Sequence, residues 1–244
     1  MGLIITLVLG IFIVIGALIT FASKNNNKFV NFSISLAFSV MIMLIFVDLI
    51  PEVKEIFIDE YGSVKGIIYS TLGILLGIGI LKLLDLFIPD HDGHDKEELN
   101  HIGLISSIAL VLHNIIEGMA VYTTVNNSLK SGILISIGVG LHNIPLGMVI
   151  ASTFYKANND KRKTWLIIIT VSLSTFLGGL IMMMLSGILV NEIILGILLS
   201  ITLGMLVYIS VFELLPRILE MKNKKYSIAG ILLGILLIVI TMFL

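Results

Sequence analysis

The chain alternates long apolar runs with short polar breaks. Eight runs stand out, at 3–21, 30–51, 64–88, 101–124, 131–154, 164–189, 192–215 and 226–244. A helix needs about 20 mostly apolar residues to cross the hydrocarbon core of a bilayer. Barrel strands take only about 10 residues and alternate with period two. These runs are longer and show no such alternation, so the pattern predicts helices, which satisfy their own backbone hydrogen bonds in lipid. The expected fold class is an all-α integral membrane protein with eight transmembrane helices. One transmembrane unit over 1–244 follows, because the breaks leave no room for a soluble domain. The longest breaks, 52–63 and 89–100, are read as loops. The first run has no basic leader and no small-residue cleavage site, so it reads as a retained helix rather than a signal peptide.

Composition strengthens this reading. Hydrophobic residues make up 57% of the chain and charged residues only 13%, with a mean hydropathy of +1.11. A soluble domain is far less apolar. A net charge of −1 gives no footprint for nucleic acid. The absence of cysteine excludes disulfides and thiolate metal sites. The basic residues also set an orientation. Lys24, Lys28, Lys82, Lys96, Lys156, Lys161, Arg162, Lys163, Arg217, Lys222, Lys224 and Lys225 fall on one side of the alternating runs; only Lys54, Lys65 and Lys130 fall on the other. By the positive-inside rule the breaks at 22–29, 89–100, 155–163 and 216–225 are cytoplasmic, and both termini lie outside the plasma membrane.

Two words repeat within the apolar runs. Residues 112–119 read LHNIIEGM and residues 141–148 read LHNIPLGM. Each sits near the middle of its run, so the two meet at one depth on antiparallel helices. A second pair lies further out, VDLIPEV at 47–53 and FELLPRI at 212–218. Each holds an acid, two aliphatic residues and a proline, but the first falls at the outer face and the second at the inner. Three helices, a central pair and three more, related by inversion, would give this pattern. Such repeats place substrate sites at the midplane beside broken or proline-containing helices. Pro145 and the glycines at 118, 138, 140 and 147 point to weakened helices there.

His113 and Glu117 are spaced i, i+4 and share a helix face. Asn114 lies beside them, and His142 with Asn143 faces them from the next run. Imidazole nitrogen with carboxylate oxygen suits Zn²⁺, and also Fe²⁺ or Mn²⁺. Histidine and asparagine inside a membrane also bond across helices with no ligand. A glutamate at that depth needs a partner, which a cation supplies. Met41 is a candidate soft ligand. Asp48 and Glu213 are candidate entrance and exit carboxylates, or interfacial acids that reach water. In the break at 89–100, Asp90, Asp92 and Asp95 interleave with His91 and His94. That segment reads either as a weak cytoplasmic metal collector or as a solvated linker.

With these residues in view, the chain resembles the Zrt/Irt-like (ZIP) family of divalent-metal transporters, in particular its bacterial zinc-uptake branch. The resemblance rests on the eight runs, HN-x-x-E-G at 113–118, HN-x-P-x-G at 142–147, the acid-x-x-P word at 48–51 and ELLP at 213–216. It implies a 3+2+3 inverted repeat, a metal site between the fourth and fifth helices, a hinge or elevator-like alternation of access, and often a homodimer. Carried over by position, His113, Asn114, Glu117, His142, Asn143 and Met41 would be metal residues. Two positions depart from the branch. Leu146 and Thr175 stand where acids of a second metal position are usual. One carboxylate cannot neutralise two dications in a low-dielectric site, so a mononuclear site is expected.

The expected function is import of a divalent metal, zinc foremost, then iron, manganese or cadmium. The protein would be a transporter and not an enzyme. It would have no prosthetic group, and its partners would be the metal and the lipid bilayer. The alternative is a metal-binding paralogue that acts as a sensor or assembly partner. An intramembrane hydrolase is disfavoured, because HNIIE lacks a free general base.

Overall fold

The computed structural model describes residues 1–23, 26–88, 95–185 and 192–243, and within them the secondary structure is helical with no strand. Among the described residues, eight helices are long and apolar enough to cross a membrane. They are α1 Gly2–Ala22, α2 Asn27–Tyr61, α3 Ser63–Asp85, α4 Asp95–Asn127, α5 Leu129–Asn158, α6 Lys161–Leu185, α7 Ile193–Glu220 and α8 Lys224–Thr241. Short polar side chains start several of them. Asn26 accepts from the Phe29 amide, Ser128 from the Ser131 amide and Asp160 from the Arg162 amide, each satisfying a donor the helix leaves free. Gly62, at φ 77°, makes the turn from α2 to α3, a conformation that costs glycine little.

Two expectations are corrected here. The segment 52–63 is not a loop: α2 continues to Tyr61, burying Val53 and Phe57. Residues 95–100 and 216–220 are likewise helical. The runs at 30–51 and 192–215 are read as ending at or next to a proline, but Pro51 and Pro216 lie within continued helices and act as register shifts. Pro51 has no N–H to offer the Val47 carbonyl, and its ring crowds that carbonyl. The ladder relaxes to a π-turn over Ile45–Leu49, in which the Ile50 amide bonds Ile45 O. Pro216 does the same to Ile209–Leu214, where the Leu215 amide bonds Ser210 O. Pro145, by contrast, sits inside an uninterrupted α5. The register shifts therefore fall in α2 and α7, while Pro145 leaves α5 one hydrogen bond short without a π-turn.

The helices pack in matched pairs. α1 lies on α5 and α4 on α6; α2 lies on α8 and α7 on α3; α1 meets α6 and α4 meets α5. Contacts are denser within the sets α1/α4/α5/α6 and α2/α3/α7/α8 than between them. Glycines allow the closest approaches. A Cβ on Gly118 would strike the Thr175 backbone, and one on Gly178 the Ile115 backbone, locking α4 against α6. Gly16 and Gly147 do the same between α1 and α5. The most buried spans, α2, α4, α5 and α7, carry the candidate chemistry, whereas α3 and α8 face outward with large aliphatic side chains.

Candidate metal centre

α4 and α5 cross where their repeated words lie. Glu117 Oε1 stands 3.0 Å from His142 Nε2 and 3.6 Å from His113 Nε2. One ligand atom from each residue fits within a 4.8 Å cluster. Ligands about 2.0–2.1 Å from a tetrahedral ion sit about 3.3 Å from one another, a value the two distances bracket. His113 Nε2 and Glu117 Oε2 are buried and lack a hydrogen-bond partner. Buried polar atoms are normally satisfied, so these mark a place where a cation would complete the bonding.

The cluster opens into a cavity of about 390 Å³. Asp48, Glu52 and Glu55 from α2 line it, with His113, Glu117, His142, Thr124 and apolar residues; among the described residues no lysine or arginine does. Asp48, in its π-turn, thus lines the same cavity as the cluster. The asparagines lie deeper. Asn114 and Asn143 are fully buried and line no part of this cavity. Asn114 Nδ2 donates to Val171 O at 3.2 Å, while Asn114 Oδ1 and both polar atoms of Asn143 lack partners. Met41 is buried in the apolar core and does not border the cavity. His91 and His94 lie outside the described residues.

The acid of the second proline word, Glu213, joins a second cluster at the basic end of the bundle. His101 Nε2 from α4 lies 2.7 Å from Asp85 Oδ1 at the end of α3 and 3.7 Å from Glu213 Oε2 in the π-turn of α7. Tyr208 donates to Asp85 Oδ2 at 2.6 Å. These three residues also offer ligand atoms within 4.8 Å of one another. Nearby, Arg217 Nη1 donates to Glu98 Oε2 at 2.8 Å. Sequence reading did not single out Asp85 or His101. An acid in the last turn of a helix beside a polar break was the available signal, and helix α4 was taken to begin at residue 101 itself.

The C-terminal two thirds of the chain, residues 88–242, match the family model described as ZIP zinc transporter. The chain is also 30% identical to the zinc transporter ZupT of Clostridium perfringens, over 100% of this chain and 95% of that protein. The chain belongs to the ZIP family. ZupT of Streptococcus mutans is 31% identical, over 99% of this chain and 96% of that protein. ZupT of Chlorobaculum parvum is 30% identical, over 98% and 96%. The similarity covers the whole length in these pairings and makes the chain a metal transporter. Within this ZIP protein, Leu146 is 1% exposed and belongs to the apolar core. Thr175 is fully buried, with its backbone against Gly118 and its hydroxyl unpartnered. Thr175 thus lies one residue from Glu117 across the α4–α6 contact, and it brings no charge there.

Proposed function

We propose that this protein imports divalent cations, zinc foremost, across the plasma membrane, with the basic end of the bundle cytoplasmic and both termini outside. The observation that carries the reading is the His113–Glu117–His142 cluster, buried, incompletely bonded and open to an acidic cavity. The ion enters past Asp48 and exchanges water for two imidazoles and one carboxylate. Water completes the shell; Asn114 and Asn143, chain neighbours of the two histidines with unsatisfied oxygens, would join it only by a local rearrangement, since neither lines the cavity. With Leu146 and Thr175 uncharged, the site takes one ion.

The matched packing pairs and the two π-turns support an inverted 3+2+3 repeat. The three ligands ride on α4 and α5, in one helix set. Asp48 and Glu213 belong to the other set. Displacement of one set against the other would carry the ion from the outer acids to the Asp85–His101–Glu213 cluster, which serves as the exit station. Zn²⁺ uptake into proteoliposomes tests the function. Wild type should accumulate zinc, and His113→Ala should lose at least 90% of the rate. Absence of flux for Zn²⁺, Fe²⁺, Mn²⁺ and Cd²⁺ in the wild type refutes the importer reading.

A further inference from the structure

The cavity above the ligand cluster carries more charge than the transport site requires. Asp48, Glu52 and Glu55 follow one another at i, i+4 and i+7 along α2, and all three side chains line the same 390 Å³ space. Like charges at this spacing destabilise a helix. With Glu117 they make four carboxylates facing one cavity that, among the described residues, has no lysine or arginine in its wall. Lys54 shares the helix but faces away from this space, being exposed and absent from the wall. The floor of the same cavity holds His113, which is 5% exposed and whose Nε2 has no hydrogen-bond partner. A buried ring nitrogen without a hydrogen-bond partner, in the same wall as a row of acids, points to a cation ligand.

We propose that Asp48, Glu52 and Glu55 form a second cation station at the mouth of the cavity. It holds a divalent ion by carboxylate oxygens, still largely hydrated, before the ion passes to the histidines. The proposal extends the transport reading given above, but the binding it describes stands apart from flux. Oxygen-only ligation suits hard cations such as Mg²⁺, Ca²⁺ and Mn²⁺ as well as Zn²⁺. Imidazole ligands favour the borderline metals. The outer station therefore concentrates divalent ions without choosing among them, and the choice falls to His113 and His142. Magnesium should occupy the first station and compete with zinc without being carried.

The test uses the full chain in nanodiscs, with Mn²⁺ as probe, read as loss of the free-ion electron paramagnetic resonance signal. Three double variants are compared: Glu52→Gln/Glu55→Gln, His113→Ala/His142→Ala, and Asp59→Asn/Glu60→Gln. The last removes two exposed acids of α2 that do not line the cavity. The histidine variant should keep a weak Mn²⁺ site. The Glu52/Glu55 variant should weaken that site at least ten-fold, and the Asp59/Glu60 variant should match wild type. In liposomes the Glu52/Glu55 variant should raise the KM for zinc by about ten-fold, the low end of what a cleft of one charge sign gives to ion capture. Its maximal rate should stay within two-fold, and millimolar Mg²⁺ should no longer inhibit. Wild-type Mn²⁺ binding and KM in the Glu52/Glu55 variant overturn the proposal, as does an equal loss in the Asp59/Glu60 variant. If the wild type carries no zinc, the transport reading fails, and the Mn²⁺ titration still decides the station.

Discussion

The contact between α4 and α6 makes a strict demand on Gly178, and Gly178→Ala tests it. An added Cβ would fall 2.7 Å from the carbonyl carbon of Ile115 and 2.9 Å from its Cα, and closer still to the carbonyl oxygen. Carbon atoms rest at about 3.5–4.0 Å, so the two helices must part by about 1 Å. The obstacle is backbone, which has no rotamer to change. Overpacking of this kind costs about 1–3 kcal/mol. Alanine also gains about 0.5–1 kcal/mol of helix preference over glycine, which would mask part of the loss. Gly79→Ala supplies the control, because nothing lies within 4 Å of its Cβ position. Both variants gain the same preference, so the difference between them isolates the clash. Thermal unfolding in detergent should show Gly178→Ala about 1–3 kcal/mol less stable than Gly79→Ala. Ile115 lies between Asn114 and Glu117, so the displacement reaches a ligand. A misplacement of about 1 Å in a reacting group can cost on the order of 100-fold in rate, and zinc uptake should fall in that direction. If Gly178→Ala unfolds with Gly79→Ala and carries zinc at the wild-type rate, the close-contact reasoning is refuted.

Two further substitutions probe the central site and the inner end of the proposed path. Leu146→Glu should raise bound zinc from one to two ions per chain, counted by elemental analysis after gel filtration. The metal-free variant should be destabilised by several kcal/mol, because a carboxylate is buried without a partner, and zinc should restore the loss; a stoichiometry that stays at one refutes the role assigned to that position. Asp85→Asn should lower the maximal uptake rate while leaving the KM for external zinc within two-fold, since the outer cavity is untouched. A large change in KM with an unchanged maximal rate would remove Asp85 from the exit.

The eight spans were legible because lipid imposes one requirement, a long apolar helix, that composition displays directly. Their ends were not. Pro51 and Pro216 look like stops in a string of letters, and only the π-turns show how a helix absorbs a missing N–H and continues to Tyr61 and to Glu220. The ligand cluster was legible for a similar reason. His113 and Glu117 are one turn apart, and His142 stands in a repeated word at the same depth, so local spacing carries nearly all of its geometry. Met41 had only its depth to recommend it, and it packs into the apolar core. The inner cluster had no such signal. Asp85, His101 and Glu213 come from three helices, with Glu213 more than a hundred residues from the other two, and no local period links them. The charge row Asp48, Glu52 and Glu55 was hidden by the misread loop, because acids on a loop share no face, whereas acids on a continued helix do.

The two proline words are alike in backbone and unlike in surroundings, and the difference bears on the state of the molecule. Each acid lies in a π-turn three residues before its proline. Asp48 is exposed and faces the cavity that reaches the ligands. Glu213 is 9% exposed and lies within reach of His101, which in turn meets Asp85. Along the proposed path, one acid therefore faces a cavity and the other is held in a polar cluster between α4, on the ligand-bearing helix set, and α3 and α7 on the other. A π-turn stores little rigidity, since its hydrogen-bond register is already displaced from the α-helical one. Placing one beside each acid gives both ends a backbone that can adjust without unfolding the helix. In the inverted arrangement proposed above, a like element at each end would let the two ends open in turn, as alternation between two access states requires.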